Sequence, residues 1–552
     1  MCRTLPQTVS VVVTFLAAGL LLSRPGLGQA LTADLILSHG RVFTALKTNP
    51  AVEAVAIRGD RIVAIGTSAE IEKLAGAGVR RINLRGRLVL PGFNDAHYHF
   101  GVDPRGSHLM SFKTLEPSWE EIHASLKHAV EHEPVGTWIF GAVGHRVVLD
   151  EKVDRFALDL LAPRHPVLLR AYYGHGWIVN SIAMPLLQIA EDEADPAGGF
   201  HERIAGSNRI NGRLWEYAAW KPSRILAERV SDEDAVTALK SMSQEAVHFG
   251  VTSMQVFPQM PIERFCRLLF KADLPIRVRA IPFSRTTPGG RDRSEIRQLG
   301  TRDLARTETV VASGIKWVLD GTPYERGAVL RRDYHDRAGW RGRPNFSREE
   351  VAAMLRESLS LRQPLLLHAV GDHTVATLFD AMDRFPEQVD WPAKRVRIEH
   401  GDGVIEDLLP RAHKLGVVVV QNPSHFGEPE LFHERWGDGY FSLRALLDAG
   451  IPLAIGSDGP LSPFLNIMFA ITHPYNPRQA ITREDAVIAY TQGSAFAEFA
   501  EDQKGVLAPG MYADLAVLSQ DVFAVAPPAL SGIRSVMTIV GGKIVHDEKE
   551  VQ

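Results

Sequence analysis

The segment Leu90-Pro-Gly-Phe-Asn-Asp-Ala-His97-Tyr-His99 carries two imidazoles two residues apart. On a β-strand, residues i and i+2 face the same way, so this spacing lets both rings bind one metal ion. Alone the pattern is weak, because histidine pairs on strands are more often surface or core residues. Here it ends an apolar run and follows Pro-Gly, which places it at the rim of a barrel, where active sites sit. Three later apolar runs end in the same class of residue. LLLHAVGD ends in His368, RIEHGDG in His400 and LAIGSDGP in Asp458. A lone histidine after a strand is ordinarily a hydrogen-bonded structural residue. Four histidines and an aspartate, all at the C-terminal ends of expected strands, share one location that metal ligation explains together. The chain has 21 histidines, and imidazole is the commonest protein ligand for zinc-like metals.

The elements that must position these residues are legible as runs. Apolar strand-like stretches occur at 88–93, 251–256, 276–282, 315–319, 365–368, 396–399, 417–420 and 451–456, separated by amphipathic stretches such as Arg348–Leu361. Strands alternating with helices imply a parallel sheet, and eight of them imply a closed (β/α)8 TIM-type barrel over residues 88–504. Two further runs, WIFGAV and PVLLRAYY, fall between the first and second strands and are assigned to an insertion at about 103–235. Alternating strands broken by Gly-Asp and Arg-Gly turns precede the barrel (ADLILSHGRVFTA, AVAIRGDRIVAIG), and GMYADLAVLS and VMTIVGGKIVHD follow it. Each set is too small to bury a face alone, so residues 31–87 and 505–552 are expected to build one composite β-sandwich domain.

Apolar residues make up 45% of the 552 and charged residues 23%, which excludes a disordered, collagen-like or polytopic membrane chain. A net charge of −4 gives no electrostatic argument for nucleic acid or an anionic membrane. Residues 1–30 have the grammar of a signal peptide: Arg3 in a polar start, an apolar run from Val9 to Leu22, then Gly28-Gln29-Ala30. That run is short of the roughly 20 residues of a transmembrane helix, although an uncleaved anchor is the alternative. The expectation is an exported protein, periplasmic or secreted, with no stable membrane insertion once the segment is cleaved. Of the two cysteines, Cys2 would be removed, and Cys266 would remain unpaired in a helix core. Self-association into a homo-oligomer is left open.

On the motifs PGFNDAHYH, GHGWIVNSIAM, GVTSMQ, IKWVLDGT, HAVGD, RIEHGD, GSDGP and KGVLAPGMYADLAVLSQD, the sequence resembles the amidohydrolase superfamily. Specifically it resembles the third amidohydrolase family, which contains N-substituted formamide deformylases, from about Ala33 to Asp547. The resemblance implies one or two divalent ions, with zinc expected. It makes His97 and His99 ligands of the more buried metal, Lys316 a carboxylated lysine bridging two metals, and His368 and His400 ligands of the second. Asp458 would bind metal and handle the proton. An unmodified lysine, with a pKa of about 10.4, is a poor ligand at neutral pH; carbon dioxide converts it to a carbamate with two bridging oxygens. The alternative for Lys316 is an ammonium paired with Asp320 or Asp458 in a mononuclear site. A bound metal lowers the pKa of its water from 15.7 toward about 7 and polarises the scissile carbonyl. Asp458 would take a proton as hydroxide attacks and return it to the leaving amine.

No Gly-x-Ser-x-Gly elbow supports a serine nucleophile. His175 matches a family motif in which a histidine faces the substrate, although Tyr173 stands where relatives often carry an acid. Glu216 would order a lid or make a surface salt bridge, Asp372 would orient a ligand or cap a helix, and His425 would contact substrate from a rim loop. Tyr98, between the two ligand histidines, would point away and pack. The expected function is metal-dependent hydrolysis of a carbon–nitrogen bond, other than a peptide bond, in a small amide, N-acyl or N-formyl amine. The alternatives are a cyclic amide, lactone or carbamate hydrolase, a deaminase, or a catalytically silent small-molecule-binding protein.

Overall fold

The computed structural model describes residues 32–48, 50–299, 304 and 307–551; the expected signal peptide, with Cys2, lies outside them. The barrel is built from two runs of parallel strands. One pairs Phe93–Phe100 with Val251–Pro258, then Arg277–Ala280, then Val310–Ala312. The other pairs Ile315–Val318, Leu365–Ala369, Arg397–His400, Val418–Gln421 and Leu453–Ile455 in order. Val310–Ala312 and Ile315–Val318 are two halves of one strand, broken at Gly314, whose φ of +99° a side chain would resist. A parallel bridge between Phe283 and Lys316 spans this break. At the other junction the Asp458 amide donates to the His97 carbonyl at 2.9 Å. Gly456 lies so close there that a Cβ would collide with the His97 backbone. Strand eight thereby meets strand one.

The run expected as the first barrel strand, 88–93, is divided. Leu88–Pro91 pairs with Leu515–Leu518 and Arg41–Phe43 outside the barrel, and the barrel strand is Phe93–Phe100. Pro91-Gly92 makes the division, with the Gly92 amide donating to the Asp514 carbonyl at 2.9 Å. Helices pack outside in the usual way. Arg348–Leu361 starts at a capping box, in which the Ser347 hydroxyl accepts from the Glu350 amide and the Glu350 carboxylate from the Ser347 amide. It turns Val351, Met354 and Leu355 inward.

Strands from both ends of the chain share one six-stranded sheet, in the order 543–547, 535–540, 515–518, 88–91, 41–43, 51–52. It faces a four-stranded sheet from residues 33–83, and Leu35, Leu37, Val55, Ile57, Val517 and Ile539 fill the space between. Arg277 of the third barrel strand holds Asp514 of this region through two hydrogen bonds of 2.8 and 3.1 Å. Between the first two barrel strands the chain forms a separate six-stranded sheet from residues 108–216 and returns through helices Tyr217–Arg229 and Asp232–His248. Cys266 is buried in helix Ile262–Ala272. Among the described residues no helix is long and apolar enough to cross a membrane.

Candidate metal centre

His97, His99, His368, His400 and Asp458 sit toward or just past the C-terminal ends of barrel strands, and Lys316 lies within strand four. His97 and His99 leave the first strand on one face, while Tyr98 packs against the apolar core. Lys316 on strand four is 1% exposed. Its Nζ lies 3.4 Å from His97 Nε2 and 4.1 Å from the centroid of the Phe257 ring. His368 is buried on strand five. His400 ends strand six with a φ of +67°, and Asp458 follows strand eight with a φ of +39°. Left-handed backbone is uncommon for residues with a Cβ and concentrates at functional sites. On a regular strand His400 would face opposite to its inward-pointing neighbour Glu399; the left-handed turn brings its ring back to the mouth.

The side chains converge. His97 Nε2 and His99 Nε2 are 3.3 Å apart. Asp458 Oδ1 is 3.8 Å from each of them, and its Oδ2 is 3.8 Å from His400 Nε2. His97, His400 and Asp458 offer ligand atoms all within 4.8 Å of one another. His368 approaches from the other side, its ring centroid 4.5 Å from that of His400. Metal–nitrogen bonds of about 2.0–2.1 Å in a tetrahedron put donor atoms roughly 3.3–3.4 Å apart, which the His97–His99 pair meets. The buried His368 Nε2 has no hydrogen-bond partner, a state that costs free energy unless something fills it. Burial, reinforced by neighbouring positive charge, holds His97, His368 and His400 well below the ordinary imidazole pKa. His99, whose side chain is 36% exposed at the mouth, is drawn down to about 4. Neutral imidazoles beside a carboxylate are the donor set that a borderline divalent ion such as zinc takes, so the residues present fit one.

Burial alone would raise the Asp458 pKa, but His97, His99, His425 and Lys316 hold it at about 2. Burial draws Lys316 down to about 8, against the pull of Glu399 and Asp458. Among the described residues no carboxylate oxygen comes within 4.0 Å of its amine. Asp320 is occupied elsewhere: it accepts from the amides of Val329, Val370 and Gly371 and from the Thr374 hydroxyl, at 2.7–3.0 Å. His175 is buried, its Nδ1 held between the two Glu216 oxygens at 2.9 and 3.0 Å, and its ring is 4.9 Å from that of His368. Burial would lower the His175 pKa, but Glu216, together with Glu325 and Asp320, outweighs it and raises it to about 9. Glu216 is 6% exposed, not a surface residue, and also accepts from Asn345 at 3.0 Å. His425 lies at the mouth, its Nε2 3.0 Å from the Asp458 carbonyl. Asp372 does not cap its helix, whose N-cap is Gly371. It accepts instead from the Arg331 amide at 3.0 Å and the Tyr440 hydroxyl at 3.3 Å.

Sequence reasoning missed the residues that support these side chains. Asp95 accepts from the amides of His97 and Ser457 at 3.1 and 3.0 Å and from the Tyr490 hydroxyl at 3.1 Å, stitching strand one to the loop after strand eight. Glu399 contacts His97 Nδ1 at 2.6 Å, and Arg397 holds Glu399. The available signal was the alternation Arg397-x-Glu399 around Ile398, which turns two charges into the barrel.

An eight-stranded parallel barrel that gathers imidazoles, a carboxylate and a lysine at its strand ends defines the metal-dependent barrel hydrolases. The chain belongs to the Amidohydrolase family, whose sequence pattern matches residues 80–546, and it is a metal-dependent hydrolase of carbon–nitrogen bonds. It is similar to LONG AFTER FAR-RED 3 of Arabidopsis thaliana, with 26% identity over 94% of this chain and 92% of that one. It is similar to the N-substituted formamide deformylase of Arthrobacter pascens, with 26% identity over 93% of this chain and 98% of the other. An uncharacterized metal-dependent hydrolase from Pyrococcus horikoshii has the same fold, with a TM-score of 0.67 and 23% identity over 90% of this chain and 99% of its own.

Proposed function

We propose that this protein is an exported hydrolase of small amides, N-acyl or N-formyl amines, working with one or two zinc ions at the C-terminal mouth of its barrel. The observation that carries this reading is the convergence of His97, His99, Lys316, His368, His400 and Asp458, with their imidazoles neutral. His97 and His99 would hold one ion, His368 and His400 a second, and Lys316, as a carbamate, would bridge them. Bound there, an ion supplies a lowered pKa to its water and polarises the scissile carbonyl. Asp458, ionised down to about pH 2, takes the proton of the attacking water and passes it to the leaving nitrogen. His175, anchored by Glu216, and His425 line the approach and contact the substrate. Burial of Lys316 favours the neutral amine, the form that adds carbon dioxide, which supports the carbamate.

The amide reading draws support from the similarity to a formamide deformylase over nearly the whole of both chains. Export draws support from the pattern of residues 1–30. The shared six-stranded sheet supports one composite domain made of residues 31–87 and 505–552. The test is a panel of N-substituted formamides, N-acyl amines, cyclic amides, lactones, carbamates and aminopurines, with released amine, acid or ammonia measured directly on zinc-loaded protein. Amine release from an open-chain amide is the expected result. Turnover of lactones alone, ammonia release alone, or tight binding with no turnover would each replace this reading with another.

A further inference from the structure

The side chains beneath the metal-facing residues are not the branched apolar packing that usually fills such a barrel. Arg397 and Glu399 point inward from strand six, and both are fully buried. Glu399 Oε2 lies 2.6 Å from His97 Nδ1. Arg397 grips both carboxylate oxygens, Nε to Oε1 at 2.8 Å and Nη2 to Oε2 at 3.0 Å. The same Nη2 donates at 2.8 Å to the carbonyl of Ala96, the residue before His97, and Nη1 donates to Gln255 Oε1. That amide oxygen also accepts from Arg279 Nη1 at 3.3 Å, and Arg279 Nε is held by the Ser313 hydroxyl at 2.9 Å. A continuous column therefore runs from His97 through Glu399, Arg397 and Gln255 to Arg279.

Stability does not account for this column. A buried ion pair seldom repays the desolvation of its charges, and apolar filling of the same volume is often as stable or more so. What the column does supply is orientation. A carboxylate 2.6 Å from Nδ1 places the imidazole proton on that nitrogen and leaves the Nε2 lone pair facing the mouth. Arg397, bonded at once to Glu399 and to the Ala96 carbonyl, fixes the carboxylate relative to the backbone that carries His97. We infer that Glu399, clamped by Arg397, is the positioning residue that sets His97 as an Nε2 ligand, and that Gln255 and Arg279 hold the clamp. The inference rests on the metal-centre reading above.

The experiment compares wild type with Glu399→Gln, Glu399→Ala, Arg397→Lys and His97→Ala. It measures zinc dissociation constants by chelator competition, the visible spectrum of the cobalt-loaded proteins, and melting of the metal-free proteins. Loss of a hydrogen-bonding partner behind a ligand histidine weakens metal binding by about 10–100-fold. Glu399→Ala should fall in that range. Glu399→Gln, which keeps an accepting oxygen but leaves the buried Arg397 without its counter-charge, should lose less zinc affinity and still shift the cobalt bands, with a lowered metal-free melting that is read separately from the affinity. If Glu399→Ala does not fold, Glu399→Gln and Arg397→Lys decide the question. Wild-type zinc affinity in the Glu399 variants, beside a His97→Ala protein that has lost its metal, overturns the positioning role and leaves the metal centre standing. Wild-type affinity in His97→Ala as well overturns the metal reading, and the positioning role with it.

Discussion

The proposed carbamate at Lys316 has a chemical requirement that the structure quantifies. Only the neutral amine adds carbon dioxide. Burial lowers the Lys316 pKa from 10.5 to about 8, so at pH 7.5 roughly a quarter of the side chains are neutral, against about one in a thousand for an exposed lysine, a gain of roughly 200-fold. The sign fixes the pH window. The neutral fraction rises through about pH 8, where it is one half, and levels off about one unit higher. Protein stripped of metal and carbon dioxide, then given zinc at a fixed carbon dioxide pressure, should recover activity at an initial rate that climbs between about pH 6.5 and 9 and flattens beyond. Native mass spectrometry should find about 44 Da added to the recovered protein, and ¹³C-labelled carbon dioxide should give a carbamate carbon resonance. Lys316→Ala should be inactive and partly rescued by short carboxylic acids, which supply bridging oxygens. Full recovery with zinc alone and no added mass, or a fully active Lys316→Ala protein, would refute the reasoning.

Three other outcomes follow from the same geometry. Asp458→Asn keeps a ligand oxygen but loses the proton acceptor, so turnover should drop by about 10²–10⁴ while metal content, measured by elemental analysis, changes little. The rate profile should lose its acidic limb, which belongs to the site as a coupled unit. Gly456→Ala drives a Cβ into the backbone of His97; overpacking of this kind costs about 1–3 kcal/mol, to be read by denaturant unfolding of the metal-free protein. Deleting residues 505–552 removes the strand that pairs with Leu88–Pro91 and uncovers Leu35, Leu37 and Val89, so the product should aggregate; a soluble, active truncation would contradict the shared sheet.

What could be read from the sequence divides along a physical line. The convergence of His97, His99, His368, His400 and Asp458 was legible because each ends an apolar run and is followed by a chain-turning segment, and because period two is a local property of the strand carrying His97 and His99. The barrel was legible for the same reason, yet the first strand was misplaced by a few residues. Leu88–Pro91 is the more apolar run, whereas Phe93–Phe100 carries Asn94, Asp95, His97 and His99, and it is their partners, Leu515–Leu518 and Val251–Pro258, that assign the second to the barrel. Asp320 stood, with Asp458, as an alternative counter-ion for Lys316, but three backbone amides and a hydroxyl occupy it. For Glu216 the sequence left a lid-ordering role and a surface salt bridge open; the insertion's sheet buries it against His175.

The support beneath the ligands was illegible for a stronger reason. Glu399 and His97 are 302 positions apart, and nothing local to RIEHGD says which residue of strand one its carboxylate will meet. That meeting depends on the register of every strand between them, which Gly314 shifts and Gly456 closes. The same dependence makes the column informative about mechanism. A ligand set fixed only by strand ends would tolerate small shifts of the barrel, each histidine following its own loop. Here the orientation of His97 is tied through Glu399 and Arg397 to strand six, and through Gln255 and Arg279 to strands two and three. Substitutions deep in the barrel should therefore reach the metal affinity without touching the converging side chains, whereas changes in His175 and Glu216 should act on substrate preference more than on metal affinity.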